Sequence, residues 1–310
     1  MSNAQTSGSA IRTKLTVRQR KEERAAHLFM LPWYLGAIVI TLGPMVASVV
    51  LAFSNYRLIG KSKFIGLKNF QDMLTDERLG QSLKVTFTYV LIGVPAALAL
   101  ALAVAVLLNK GIRGLAIYRS VYYLPSLFGG SVAIGVLWRT VFGADGIVNR
   151  VLGMFGIEAT TSWVGSPQTA LGTIILLHVW TFGSSMIIFL AGLRQIPQSL
   201  YEASAIDGAG KWQQFLHVTV PMLTPVIFFN LVMGIINGFQ NFTQAFVVSG
   251  GQGGPVDSTL VYALYLYYWA FGMGKNMGYA AALGWLLVLI VGILTLINFV
   301  LSNKWVHYDD

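Results

Sequence analysis

Six continuous apolar runs constrain the fold of this chain more than any other feature of its sequence. A helix needs about 20 apolar residues to cross the hydrocarbon core of a bilayer, and the runs do not alternate with period two as barrel strands would. Charged residues make up only 11% of the chain, against about 25% in soluble domains. We therefore predict an all-α, polytopic membrane protein with six spans, at about 30–53, 85–108, 117–142, 170–193, 222–248 and 279–301.

Basic residues predict how these spans are oriented. Residues 1–28 form a basic arm with six Lys and Arg side chains, ahead of a transmembrane domain over 29–310. Cytoplasmic flanks of membrane helices are rich in such residues. With the arm inside, the inner segments carry 12 Lys and Arg and the outer segments carry nine, of which six lie in 57–84. The sequence therefore predicts that both termini are cytoplasmic.

The sequence contains no complete catalytic or metal-binding motif. The absence of Cys rules out disulfides and thiolate metal sites. Gly60-Lys61-Ser62 lacks the upstream Gly of a phosphate-binding loop, HExxH and GxSxG are absent, and the four His lie in separate segments. We predict that the chain is not an enzyme and that it binds no metal, cofactor or nucleic acid.

None of the six predicted spans contains Asp or Glu. Proton-coupled carriers usually need carboxylates inside the membrane. This absence disfavours a stand-alone carrier, but a secondary carrier or channel for a neutral polar solute remains the alternative hypothesis.

The centre of the third predicted span is interrupted by Pro125, Gly129 and Gly130. Such residues kink or unwind membrane helices, and the freed backbone groups must then face protein or water. Two interpretations remain open, a kink that aids packing and a break that lines a solute path.

The fifth predicted span is unusually polar. Within one continuous helix over 222–248, the spacing i, i+3, i+4, i+7 would place Asn237, Gln240, Asn241 and Gln244 on one face. This face is either interhelical hydrogen-bond glue or the wall of a path for a hydroxyl-rich solute. The fourth span adds Ser185 together with Trp180 and Phe182, whose rings could supply flat apolar faces for a sugar. No charge cluster matches a phosphate or carboxylate, so an uncharged substrate is favoured.

A polar stretch, residues 202–225, separates the fourth and fifth spans. Glu202-Ala203-Ser204 begins a helix-compatible run, Asp207-Gly208-Ala209-Gly210 breaks it, and Pro221 begins the next apolar segment. A plain connector between two spans does not need a helix–turn–helix. The pattern therefore predicts a surface that binds a protein outside the membrane.

This stretch closely resembles the EAA motif of permease subunits of bacterial ATP-binding-cassette importers. The motif reads Glu-Ala-Ala, Gly, Ile and Leu-Pro at fixed spacing, and here it appears as Glu202-Ala203-Ser204, Gly208, Val218 and Val220-Pro221. The runs FIGLKNF at 64–70, AGLRQIPQSLYEASAIDGAG at 191–210 and GGP at 253–255 extend the resemblance to the carbohydrate-uptake, MalF- and LacF-like branch.

The resemblance implies a MetI-like type I importer permease of the bacterial inner membrane, with a cytoplasmic coupling helix in the loop 195–221. The residues expected to couple to the ATPase are Glu202, Ala203, Ser204, Asp207, Gly208, Ala209 and Pro221. Glu202, early in a short helix, would meet the favourable end of the helix dipole. A mid-membrane sugar pocket is expected near Trp180, Ser185, Gly234, Asn237 and Asn241.

The implied partners are a sister EAA-type permease, a pair of cytoplasmic ATP-binding subunits, an extracytoplasmic solute-binding protein, the sugar and membrane lipid. ATP and Mg would be bound by the partner ATPase and not by this chain.

Overall fold

The structure is a computed structural model that describes residues 17–57, 62–111, 114–157, 160–272 and 275–306. Within these ranges every regular element is a helix, apart from an isolated antiparallel bridge between Ser54 and Phe64. The predicted all-α fold class is therefore confirmed for the described residues. Three helices are long and apolar enough to cross a bilayer, and three bent helix pairs bring the candidate spans to six.

The first compact unit covers residues 1–50, and the predicted basic arm lies outside the described residues as far as residue 16. Its elements are α1 (Val17–Gly36), a π-helical segment (Ala37–Leu42) and the start of α2 (Gly43–Ala52). Pro44 has no N–H to donate to the carbonyl four residues earlier. Directly before it, the N–H of Gly43 bonds to the carbonyl of Ile38 in the wider π pattern. Ala25–Ala52 forms one candidate span.

The second compact unit covers residues 51–310. Its helices are α3 (Lys68–Met73), α4 (Glu77–Leu108), α5 (Leu115–Phe128), α6 (Val132–Val141), α7 (Ile147–Met154), α8 (Ala170–Trp180), α9 (Gly183–Leu193), α10 (Gln198–Ile206), α11 (Lys211–Gln214), α12 (Val220–Met222), α13 (Thr224–Phe239), α14 (Thr243–Val248), α15 (Tyr262–Phe271) and α16 (Met277–Ser302). A second π-helical segment, Phe215–Thr219, joins α11 to α12.

The 32-residue helix α4 is the central element of this unit, and it begins eight residues before the predicted second span. It packs against α8, α9, α13 and α15. Its first half contributes Leu79, Val85 and Tyr89 to one buried cluster with α15 and α16. Its last half joins a second cluster, in which Leu108 is buried with Leu193 and Leu223. Since these last two residues flank the loop 195–221, the coupling loop lies at the Leu108 end of α4.

Three predicted spans are broken and not continuous. The helix axes turn by 99° between α5 and α6, by 41° between α8 and α9, and by 65° between Lys211–Met222 and α13. The break predicted around Gly129 and Gly130 is confirmed. There Ser131 caps the new helix, since its Oγ accepts the N–H of Ile134 at 3.3 Å.

The prediction of one continuous helix over 222–248 is wrong. α13 ends at Phe239, residues 240–242 are not helical, and α14 starts at Thr243. The N–H of Gln240 is shared between the carbonyls of Ile236 and Asn237, as is common where a helix ends. Gly and Asn are weak helix formers, and three of them fall within five residues, 237–241. The four amides therefore do not form one helical stripe.

Candidate functional site

A cavity of about 590 Å³ lies beside α4, where the breaks of two helix pairs meet the middle of α13. Its lining residues are Val94, Ala97, Leu98, Ser126, Gly130, His178, Thr181, Phe182, Ser184, Ser185, Ile188, Phe229, Asn230, Met233, Gly234 and Asn237. None of these side chains is a carboxylate, ammonium or guanidinium group. The cavity can therefore offer hydroxyl, amide, imidazole and aromatic groups to a ligand.

A single serine joins the two breaks at this cavity. The hydroxyl of Ser126, in α5, donates to the carbonyl of Thr181 at 3.1 Å and accepts the N–H of Ser184 at 3.0 Å. These are backbone groups that the break between α8 and α9 has released from the helical ladder. Irregular backbone inside a membrane is tolerated only where protein or water satisfies it. Ser126 could not be predicted from the sequence, because its role depends on a contact with residues more than 50 positions away.

The polar lining is partly committed to internal contacts. Asn230 donates from Nδ2 to the carbonyl of Val226 at 2.9 Å, a bond within its own helix. The imidazole of His178 packs 5.3 Å from the ring of Tyr89. Asn237 is exposed on α13 and makes no recorded side-chain hydrogen bond within the described residues. Asn237 is therefore the amide most available to a solute.

The structure brings together only half of the predicted substrate path. Phe182, Ser185, Gly234 and Asn237 line the cavity. Trp180 instead lines a neighbouring apolar cavity of about 520 Å³.

The remaining amides of the predicted path lie at or beyond the end of α13. Gln240 is exposed where the helix ends. Gln244, on α14, donates to the carbonyl of Gly129 at 3.0 Å. Nδ2 of Asn241 is buried and has no hydrogen-bond partner among the described residues. The Gln244 side chain thus bonds α14 to the end of α5, which favours the interpretation of an interhelical hydrogen bond at that position.

Gly234 and Gly238 allow α13 to approach α4 closely. A Cβ added at Gly234 would lie 2.6 Å from Cγ1 of Val94, and one at Gly238 would lie 2.8 Å from Cγ2 of Val90. The spacing is that of the small-xxx-small contacts of membrane helices. Gly234 therefore has two roles, since it packs against α4 and also lines the cavity.

The coupling loop forms the predicted helix–turn–helix. After α10, the N–H of Ala209 bonds to the carbonyl of Ser204 at 2.9 Å, and the N–H of Gly208 bonds to that of Ala205 at 3.1 Å. These two bonds define a Schellman motif, whose C′ residue is left-handed and usually glycine. Gly208 has φ +81° and open space around its missing Cβ. Backbone conformation, and not crowding, thus requires glycine here.

One detail of the coupling loop differs from the expectation. α10 begins at Gln198, so Glu202 is its fifth residue and lies outside the first turn, where the helix dipole acts. Within the described residues, the exposed Glu202 carboxylate has no recorded ion pair.

Ser204, Asp207, Gly208 and Ala209 line a cavity of about 270 Å³ together with Gln213, Gln214, His217 and Val218. Ala203 is exposed on α10, whereas Pro221 lies apart, in the first turn of α12. Two large apolar side chains near this cavity were not predicted from the sequence. Ile206 is 87% exposed and Trp212 is 70% exposed. Trp is enriched among the residues that dominate the binding energy of protein–protein contacts, and the position of these two apolar side chains inside a polar loop was the available signal.

At the opposite end of α4, Asp76 collects three hydrogen bonds. Oδ1 caps the helix by accepting the N–H of Leu79 at 3.1 Å. Oδ2 accepts the phenol of Tyr279 at 2.6 Å and also the phenol of Tyr265. Burial, reinforced by the bond to Asp76, raises the pKa of Tyr265, so this phenol remains a donor. Nearby, Arg78 forms a bidentate ion pair with Asp257, at 2.7 and 2.9 Å.

No three His, Asp or Glu side chains among the described residues are arranged to hold a metal ion.

Comparison with known proteins gives consistent matches over most of the chain. Residues 86–307 match the family described as binding-protein-dependent transport system inner membrane component. The chain is 51% identical over 292 residues to the probable ABC transporter permease protein YesP of Bacillus subtilis, and the match covers 94% of each chain. It is 34% identical over 280 residues to the lactose transport system permease protein LacF of Rhizobium radiobacter, over 89% of this chain and 93% of LacF.

Among solved structures, the fold resembles a chain of a bacterial alginate ABC transporter in complex with an alginate pentasaccharide-bound periplasmic protein. The TM-score is 0.79 at 20% identity, and the match covers 93% of this chain and 96% of that chain. At this identity the likeness concerns the fold. It confirms the predicted architecture of an importer permease.

Proposed function

The chain belongs to the binding-protein-dependent transport system inner membrane components, and we propose that it forms, with a sister permease, the path through which an ATP-driven importer takes up a sugar. The family places the chain in the inner membrane as a transport permease. We also propose the cargo, the partner subunits and a cytoplasmic location for both termini.

The cavity of about 590 Å³ carries the assignment of a sugar. It combines the flat faces of Phe182 and Phe229 with hydroxyl and amide groups. Aromatic faces suit the apolar side of a pyranose ring, and amides that donate and accept suit its hydroxyls. The lining has no charged side chain, which favours an uncharged cargo. The lactose permease among its relatives supports the same class.

The coupling loop supports an ATP-hydrolysing partner. This chain offers Glu202, Ile206 and Trp212 on an exposed surface around the cavity at Gly208. An ATPase subunit docked there would bind the ATP and Mg, and its closure would move α10. An extracytoplasmic binding protein would deliver the sugar at the other end, which bears the Asp76 network.

The proposal is tested by purifying the complex from native membrane in mild detergent and reconstituting it in liposomes. Uptake of a panel of labelled neutral and uronate-containing saccharides is measured with and without ATP. We expect a second permease and an ATPase to copurify, and neutral sugars to be taken up only with ATP. A chain recovered alone that transports without ATP would establish the alternative, a secondary carrier or channel. Uptake restricted to uronates would contradict the uncharged cargo.

The variant Asn237→Leu tests the cavity itself. Removing the most available amide should lower uptake at least fivefold, because a hydrogen bond to the solute is lost and a polar wall becomes apolar. Gln240→Leu is the matched control, one turn further along and outside the cavity lining. Both variants should insert and assemble normally. Equal uptake by the two variants would mean that the cavity is not the sugar path.

A further inference from the structure

The coupling helix α10 is fastened to the helix that follows it through one residue, Tyr201. Its phenol oxygen lies 3.0 Å from Oγ1 of Thr219, and its carbonyl accepts Nε2 of Gln214 at 3.2 Å. Thr219 in turn donates to the carbonyl of Gln214 at 3.5 Å. We call Tyr201, Gln214 and Thr219 the Tyr201 clasp. Every hydrogen bond that the structure records between α10 and residues 211–222 belongs to it.

Around the Tyr201 clasp, few other contacts connect α10 to residues 211–222. The turn after α10 contains Gly208 and Gly210, and a cavity of about 270 Å³ separates the end of α10 from α11. Glu202 and Ala203 face outward. A force applied to the outer surface of α10 therefore reaches residues 211–222 either through the glycine turn or through the clasp. A glycine turn is the more compliant of the two.

The far side of the clasp connects to the cavity-lining helix. Thr219 is buried and is the last residue of the π-helical segment Phe215–Thr219, a kind of irregularity that is frequent at functional sites. After α12 the axis bends by 65° into α13, on which Asn230, Gly234 and Asn237 line the cavity. Leu223, at the bend, is fully buried. The Tyr201 clasp therefore lies at one end of a run of helical segments, and the other end of this run, α13, lines the cavity.

We propose that Tyr201 and Thr219 are positioning residues that transmit displacement of α10 to α13, and so couple ATP hydrolysis to the state of the cavity. This inference rests on the proposed function, since it requires an ATPase that moves α10. Tyr201 acts through Thr219 and does not touch the solute. Its hydroxyl is the group to test, because phenylalanine keeps the ring and removes only the contact with Thr219.

The test measures how ATP changes access to the cavity, and it needs no knowledge of the sugar. The chain has no cysteine, so Met233→Cys, on the cavity wall, places one reactive thiol there in this subunit. Its labelling by a membrane-impermeant maleimide is followed in the reconstituted complex, without nucleotide and after trapping with ATP and vanadate. The same complex lacking this cysteine gives the background from the partners.

Three single variants and one double variant in this background separate coupling from folding. Tyr201→Phe and Thr219→Val each remove one hydroxyl at nearly constant shape, and Thr219→Ser retains it. We expect the first two to reduce the ATP-dependent change in labelling about five- to tenfold while ATPase activity and subunit recovery stay near wild type. Thr219→Ser should behave as wild type, and the double variant should be no worse than either single one.

Unchanged ATP-dependent labelling in Tyr201→Phe would overturn the inference and leave the proposed function intact. Loss of ATPase activity or of the ATPase subunits in step with the labelling change would also overturn it, by showing that the clasp only maintains the docking surface. A complex without any ATP-dependent change before mutation would instead refute the proposed function.

Discussion

The two ends of α4 hold their neighbours in different ways. At the Asp76 end, one carboxylate caps α4 and ties it to α15 and α16 through two further hydrogen bonds, and Arg78 adds a bidentate pair to Asp257. At the Leu108 end, buried apolar packing reaches Leu193 and Leu223. In the coupling loop beyond it, α10 is largely exposed and is held to residues 211–222 by the Tyr201 clasp.

This difference indicates which end of α4 allows its neighbouring segments to move. A carboxylate with three buried or half-buried donors has one favourable geometry, because releasing any donor costs its desolvation. A loop with a left-handed glycine and two hydrogen bonds at Tyr201 can be displaced with little loss. We therefore expect the Asp76 end to act as a fixed frame and the coupling end to move with its partner.

The largest effect should come from Asp76→Ala. The change removes a helix N-cap, worth about 1 kcal/mol, and leaves two phenols without their acceptor, at about 1 kcal/mol or more each. We expect a loss of about 3 kcal/mol in the free energy of unfolding, measured by denaturant unfolding in detergent followed by tryptophan fluorescence.

Asp76→Asn is its control, since asparagine is also a good N-cap and keeps one acceptor oxygen. It should lose less than half as much. If Asp76→Ala cost under 0.5 kcal/mol on this scale of hydrogen-bond energies, the Asp76 end would be no more fixed than the coupling loop, and the contrast between the two ends would fail.

The contrast also separates what the sequence could predict from what it could not. The six candidate spans follow from the length and polarity of the runs, and the break at Gly129 and Gly130 follows from local composition, so both were predictable. The Schellman turn at Gly208 was predictable for the same reason, as the Asp-Gly-Ala-Gly run carries its own signal.

Features that depend on distant contacts were not predictable. Asp76 meets Tyr265 and Tyr279 across about 200 positions of sequence, and no local pattern pairs them. The prediction of one polar helix face in the fifth span was wrong for another reason. Helical periodicity assumes an unbroken helix, and the end of α13 at Phe239 places Gln240, Asn241 and Gln244 outside it.

An intermediate effect is expected for Gly208→Ala. A non-glycine residue in the left-handed region costs about 1 kcal/mol, and at φ +81° this cost falls on the turn that ends α10. Because the surrounding space is open, global unfolding should shift by less than this, while limited proteolysis around residues 205–212 should accelerate several-fold and ATP-dependent uptake should fall.

Gly66→Ala is matched to it, with φ +60° and open space, in the segment that leads to Asp76. It should carry a similar strain without affecting uptake. Loss of uptake in both variants, to the same degree, would show that the coupling end has no special need for its turn.

The smallest effect is expected at the ion pair between Arg78 and Asp257. The two side chains are 42% and 29% exposed, so water and salt screen their attraction, and such pairs typically contribute at most about 1 kcal/mol. A double-mutant cycle with Arg78→Ala and Asp257→Asn should give a coupling energy of about 0.5 kcal/mol that declines between 0.05 and 0.5 M salt. A coupling above about 2 kcal/mol, insensitive to salt, would instead place this pair among the buried charges. The fixed frame would then extend from Asp76 through the loop that carries Asp257, and the rigid end of the molecule would be held by charge as much as by the phenols of Tyr265 and Tyr279.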